Sequence, residues 1–480
     1  MSTTQLHHAV RTDVRFLLPR PVATVELHHA AKDLAHAFER VGIEVVERGG
    51  QLSYGSVTTV DGVEALAIEG ADARRALRRA GLSARAFLPL PDLERTSVVL
   101  PLDQPRPAAY AVRHWGGRPD RRRALRNRIA PMLLARGIAP PGRPRLTVGV
   151  RRPGPPFLVA AATELGVPAD AELFLSPGAS DLLSRGVLHV FARGEREPRW
   201  AIKFSRVAGN VAPFDREEEG LRVAVEAGHV VTAHAPRLLG RFTAGGAPAS
   251  LETAALGERL VSLLESTDPR AAKLEALDRI AAWLVEVARR TAVPGALRAE
   301  LERMRSTVLP AWAHAGADEA LLDGLDALPG VFLHDDLGSW NILVHDGSFT
   351  AVDWEGARRL GMPLWDLVYF LAYATIPLDG VPVEHATDAM VELFLGRGPS
   401  SAFVLGWIRR AAAALELEPG AVGRLAATSW LHHGLSRDAR RAAVGRAGGA
   451  PSGGLAGMPG ELAARWLSEP GLGPDWSAWR

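Results

Sequence analysis

The stretch HDDLGSWNIL at 334–343 places two adjacent acids, Asp335 and Asp336, and the amide Asn341 between the apolar runs VFL and ILV. Shortly after it, FTAVDWEG supplies Asp353 and Glu355. This is an oxygen-only set, suited to moving a phosphoryl group. One carboxylate can orient an attacking hydroxyl, and the remaining oxygens can hold a magnesium ion that bridges the phosphates. Asp336 is the candidate for the hydroxyl, and Asn341 and Asp353 are the candidates for the metal. The plainer alternative makes Asp335 and Asp336 turn residues and leaves Asp353 and Glu355 exposed.

Local elements must bring these groups together. GVFL reads as a strand and DDLGSW as a loop. NILV, HDGS and FTAVDW read as a hairpin turning at Asp346 and Gly347, because an Asp-Gly pair between apolar runs favours that turn. A hairpin closes its two ends on each other, so Asn341 at its entry and Asp353 at its exit come within reach of one ion.

A nucleotide also needs a cation. Of the 56 Lys and Arg residues only Lys32, Lys203 and Lys273 are lysine, so a lysine marks a place where a compact ammonium is wanted. Residues 171–206 read as an antiparallel meander, with a small-residue turn over Ser176, Gly178 and Ser180 that lets backbone amides approach a polyphosphate. Lys203 lies in its last strand, RWAIKF, where it can reach the phosphates. The following helix, PFDREEEGLRVAVEAGH, takes Asp215 as N-cap. Glu217 shares the stripe of Leu221 and Ala224, which makes it the predicted partner of Lys203.

The chain has 480 residues, 47% hydrophobic and 23% charged, enough for two or three globular domains. It has no cysteine, which excludes disulfides and thiolate chemistry. A net charge of +2 gives no strong field for nucleic acid. Without a membrane-length apolar run or a signal-like start, the expectation is a cytoplasmic protein with no membrane span. The spacing sets no oligomeric state. Residues 1–138 alternate strand-like and helix-like stretches and read as an α/β, Rossmann-like domain, although no glycine-rich cofactor loop is present. The zone 139–157 reads as a Pro/Gly-rich linker and 446–480 as a Gly-rich tail. The histidine pair His432 and His433 lacks a third ligand at metal-site spacing.

The sequence His334-x-Asp336-x-x-x-x-Asn341, followed by Asp353-Trp354-Glu355, resembles the signature of the aminoglycoside phosphotransferase and choline kinase-like family over about residues 165–440. The resemblance implies an α+β, two-lobed protein-kinase-like fold, with lobes at 158–255 and 256–445. It implies transfer of the γ-phosphoryl group of ATP, or less commonly GTP, to the hydroxyl of a small molecule such as an aminoglycoside, sugar or amino alcohol. Asp336 would then be the catalytic base, Asn341 and Asp353 the Mg2+ ligands, and Lys203 with Glu217 the phosphate contact. His334 and Asp366, the latter in PLWDLVYFLAYA, would give structural support. Two departures stand out. Asp335 replaces a glycine common in the family, and the hairpin between the Gly178 turn and Lys203 is long. A pseudokinase scaffold and a bifunctional enzyme with a separate N-terminal activity are the alternatives. An acidic acceptor pocket would favour amines, and an arginine-lined one acids or phosphosugars.

Overall fold

The computed structural model describes residues 12–28, 32–41, 43–47, 57–60, 65–69, 77–79, 81–90, 96–115, 132–133, 146–178, 183–446, 458–469, 471–472 and 476. The chain divides into two compact units. One holds Met1–Phe214, Arg237–Leu256 and Ala447–Ala450, and the other Asp215–Pro236, Gly257–Arg446 and Pro451–Arg480.

The first unit is organised on one sheet. Its strands are β1 (Thr24–His28), β2 (Glu44–Glu47), β3 (Val57–Val60), β4 (Ala65–Glu69), β5 (Ser83–Leu90), β6 (Val98–Pro101), β7 (Leu146–Val150), β8 (Glu172–Ser176), β9 (Gly186–Phe191), β10 (Trp200–Phe204), β11 (Leu238–Ala244) and β12 (Ala247–Thr253). The order is β11-β12-β10-β9-β8-β6-β5-β7-β4-β3-β1-β2. The β8-β9-β10 meander forms as expected, both pairs being antiparallel.

The strand pairing of the described residues does not bear out the expected Rossmann-like N-terminal domain. Among those residues β1 and β2 pair in parallel, while β3, β4, β5, β6 and β7 pair antiparallel. Alternating apolar patterns mark strands but do not fix their direction: β1 and β2 are joined through the helix Lys32–Arg40 and run parallel, and the other described pairs in this part of the sheet are antiparallel. The expected 139–157 linker contains a strand in its described part. Within it β7 lies between β4 and β5 with every residue buried.

Both faces of this sheet are covered, so its middle strands are buried on both sides. Leu173 and Leu175 of β8, Leu188 and Val190 of β9, and Ile202 and Phe204 of β10 share one cluster with helix residues Leu158 and Val159. On the opposite face Phe174 and Phe191 meet Tyr110 from the helix Pro105–Trp115. Alternation of side chains along a strand makes this split, and it turns Lys203 away from the Ile202 and Phe204 face.

In the second unit β13 (Glu258–Arg259), β15 (Ile342–His345) and β16 (Ser348–Ala351) form a three-stranded sheet, and β14 (Val331–Leu333) pairs with β17 (Arg358–Gly361). The helices that matter for the site are α1 (Ala212–Glu226), α2 (Trp365–Leu378) and α3 (Pro419–Arg446). Helix α1 starts at Ala212, so Asp215 sits in its first turn and is not the predicted cap. Helix α2 is buried all round except at Pro377, as expected of a helix with no polar stripe. Residues 447–457 of the expected tail lie outside the described residues. Beyond them Trp466 and Trp476 are buried against Phe394, with Trp476 Nε1 donating to the Phe394 carbonyl at 2.7 Å. No helix among the described residues is long and apolar enough to cross a membrane.

Candidate active site

The loop leaving β14 is fixed by one buried carboxylate. Asp366, in the first turn of α2, accepts the backbone N–H groups of His334 at 2.6 Å and Asp335 at 2.9 Å. Burial raises its carboxyl to about 7 against the pull of those two amides. The bracing role that the resemblance implies for Asp366 corresponds to these two bonds.

His334 ties the loop to the hairpin. Its ring lies 4.5 Å from that of Trp354, and its Nε2 is 3.2 Å from the carbonyl of Val352, the residue before Asp353. Burial pushes the imidazole down to about 4, so it stays neutral. The hairpin forms on the expected residues, with Asp346 at φ 44° and Gly347 at φ 76° in its turn. Two central residues with positive φ match the twist of the flanking strands. Val352 donates its N–H to the Asn341 carbonyl at 2.8 Å, which closes the open end.

Asp336, Asn341 and Asp353 are thereby gathered. Asn341 Nδ2 donates to the Asp336 carbonyl at 2.9 Å and more weakly to Asp336 Oδ2 at 3.4 Å. Its Oδ1 has no partner among the described residues, which leaves it available to a hard cation. Asp353 adopts a left-handed backbone, φ 71°. Its charge is felt by His334, Asp336 and Arg259. An amide oxygen and a carboxylate at adjoining positions fit a magnesium ion and offer nothing to a soft one.

Asp336 is partly exposed, its side chain at 34%. Burial of its surroundings raises its carboxyl above the usual range, opposed chiefly by Arg437. Arg437 Nη2, from α3, donates to Asp336 Oδ1 at 2.6 Å and to Tyr369 Oη at 2.8 Å, and Tyr369 donates to the same Oδ1 at 3.1 Å. Oδ2 therefore keeps only the weak Asn341 contact.

The neighbouring acid differs. Asp335 has φ 67°, the left-handed conformation that a glycine would take without strain. Its carboxylate meets Arg358 Nη2 at 2.9 Å and His432 Nε2 at 3.0 and 3.1 Å. Burial acts to raise this acid, but His432 and Arg358 outweigh it and hold the carboxyl well below the usual range. Arg358 also pairs with Glu300, Glu300 with Arg303, and Arg303 with His432 Nδ1, closing a ring of bonds. Asp335, His432 and His433 are close enough to resemble a metal-ligand group. Two guanidinium groups on the His432 ring make that position unfavourable for a dication.

In the first unit, Lys203 Nζ pairs with Glu252 of β12 at 3.1 Å, and the side chains are 10% and 2% exposed. Lys203 opposes Ser250 in the register, so Glu252 is its diagonal neighbour on the same face. Glu217 of α1 is buried as expected, while Glu218 and Glu219 are exposed, and its charge is felt by His334. Ser176 Oγ donates to the Ser97 carbonyl at 3.2 Å. A Cβ on Gly178 would lie 2.1 Å from the Arg185 carbonyl, so close backbone contact alone requires glycine there. Ser180 lies outside the described residues.

Sequence reasoning missed Glu252, Tyr369 and Arg437. The first follows from strand alternation, and the second lies one helical turn after Asp366. Arg437 gives no signal in a chain whose cations are nearly all arginine.

The model of the phosphotransferase enzyme family matches residues 183–399. No curated protein matches the sequence. Among solved structures, a protein of Ralstonia eutropha JMP134 assigned as an aminoglycoside phosphotransferase is 12% identical, covering 67% of this chain and 96% of its own, with a TM-score of 0.41. A choline/ethanolamine kinase family protein from Mesorhizobium loti is 19% identical, over 67% and 96%, with a TM-score of 0.39. A glucosamine kinase bound to glucosamine, ADP and inorganic phosphate is 20% identical, over 67% and 79%, with a TM-score of 0.30. The segment matched by that family model, 183–399, contains Lys203, Asp336, Asn341, Asp353 and Asp366.

Proposed function

We propose that this chain transfers the γ-phosphoryl group of a nucleoside triphosphate, ATP by family resemblance, to the hydroxyl of a small molecule. The observation that carries the reading is the arrangement at Asp336. One of its oxygens is held by Tyr369 and Arg437, and the other is bound only weakly by Asn341. That second oxygen can accept the proton of an acceptor hydroxyl. The acceptor oxygen then bonds to the γ-phosphorus as the bond to the bridging oxygen of the nucleotide breaks, and the proton passes to Asp336. Asn341 Oδ1 and the Asp353 carboxylate would hold Mg2+, which supplies charge neutralisation at the phosphates when bound. Lys203, its ammonium paired with Glu252 on the neighbouring strand, would add a phosphate contact. Ser176, Gly178 and Ser180 would line the approach of the phosphates through their backbone.

The test is Asp336→Ala beside Asp336→Asn, in a single-turnover assay with an accepted alcohol and in calorimetric titration with MgATP. Turnover should fall by about 10³-fold, within the range for loss of a general base. Nucleotide affinity should stay within a few-fold. Turnover equal to wild type in either variant removes Asp336 from the chemistry.

A further inference from the structure

We infer that Arg437 is the receptor for an anionic group on the phosphoryl acceptor, so that the substrate is a hydroxy acid or a phosphorylated alcohol. This rests on the phosphotransferase reading and names its substrate class.

Arg437 uses only Nη2 for the protein, on Asp336 Oδ1 and Tyr369 Oη. Its Nη1 and Nε make no hydrogen bond to a described residue, and its side chain is 26% exposed. A guanidinium presents donors in a planar fork that matches carboxylate and phosphate oxygens two at a time. One prong is therefore fixed to the base while an unused edge stays open beside it. Because the hydroxyl must meet Oδ2 of the same carboxylate, the anion must lie within a few bonds of the reacting oxygen.

The surroundings disfavour a cation. Asp335 is neutralised by Arg358 and His432, Glu300 by Arg303 and Arg358, and Glu355 by Arg216 and Arg440. None of these acids is left to receive an ammonium. The aromatic wall of Trp340, Tyr369 and Tyr373 could suit a quaternary amine. Arg437 already lies 5.8 Å from the centre of the Trp340 ring, in the place such a cation would take.

The experiment measures nucleotide consumption by the full-length protein with three groups of alcohols, against Asp336→Ala as blank. The anions are glycerate, gluconate and glucose 6-phosphate. The neutral set is glycerol, glucose and inositol, and the cations are choline, ethanolamine and glucosamine. The expected result is that the best acceptor is an anion. In Arg437→Gln the ratio of kcat/KM for that anion to kcat/KM for the best neutral alcohol falls at least tenfold, mainly through KM, the loss expected for a charged hydrogen bond. Arg437→Lys recovers part of it, keeping the charge without the fork. Near-UV circular dichroism confirms that the variants fold. Preference for a cation, or an equal loss for all three classes in Arg437→Gln, overturns the inference and leaves the phosphotransferase reading standing. If no alcohol is consumed above the blank, both fall together.

Discussion

Lys203 and Asp336 are held in place by different means. Lys203 sits mid-strand, and everything that aims it follows from register. Ile202 and Phe204 pack one face of β10, alternation turns Lys203 to the other, and the diagonal position on β12 supplies Glu252. Asp336 stands in a loop with no register to position it. Its place depends on side chains bonding to backbone: Asp366 on the amides of His334 and Asp335, His334 on the Val352 carbonyl, and Asn341 on the Asp336 carbonyl. A sheet places a charge through the register of its strands, whereas a loop needs several independent ties. Damage to the sheet site should therefore concentrate in a single pair, and damage to the loop should spread.

The largest effect that separates the two is at Lys203. Lys203→Met takes the ammonium away from a buried Glu252 carboxylate and should cost about 3 kcal/mol, because an uncompensated buried charge is expensive. The double variant Lys203→Met with Glu252→Gln removes the second charge as well and should regain most of that loss. Urea denaturation of the three proteins decides it. If the double variant is no better than the single one, the pair is not the unit that holds this site.

A smaller effect tests the loop. Asp335→Gly relieves a left-handed backbone worth about 1 kcal/mol, but it leaves Arg358 and His432 without their carboxylate. The net result should be a loss of about 2 kcal/mol. Asp335→Asn tolerates the same backbone and keeps an acceptor, so it should lose less. Equal or greater stability in the glycine variant would mean that strain dominates and that the ring of bonds through Arg358, Glu300, Arg303 and His432 contributes little.

These contrasts also explain what was legible in the sequence. The hairpin with its Asp-Gly turn and the burial of Glu217 depend on residues a few positions apart, and local spacing specifies them. The pairing of β7 with β4 and β5 depends on contacts across tens of residues. Flanking prolines and glycines disguise β7 as a linker, and direction of pairing leaves no mark in an apolar pattern. Glu252 could have been deduced once β10 and β12 were paired. Arg437 could not, since it reaches Asp336 from 101 positions away and looks like dozens of other arginines.

The smallest effect concerns the turn that joins the metal-binding candidates. Gly347 has φ 76°, and a Cβ there would come no closer than 3.7 Å to the Arg279 guanidinium. Space is therefore available, and Gly347→Ala should cost only the conformational penalty, about 1 kcal/mol. If loop positions are secured by several ties, the other end of the hairpin should hardly notice. The Val352 to Asn341 backbone bond and the His334 to Val352 bond remain, so magnesium affinity should change by less than about threefold while the unfolding midpoint drops. Titration of magnesium with nucleotide present, alongside thermal unfolding, reads both quantities. A large loss of affinity at unchanged stability would show that the turn sets the site geometry by itself, and the distinction between a sheet residue placed by register and a loop held by several ties would fail.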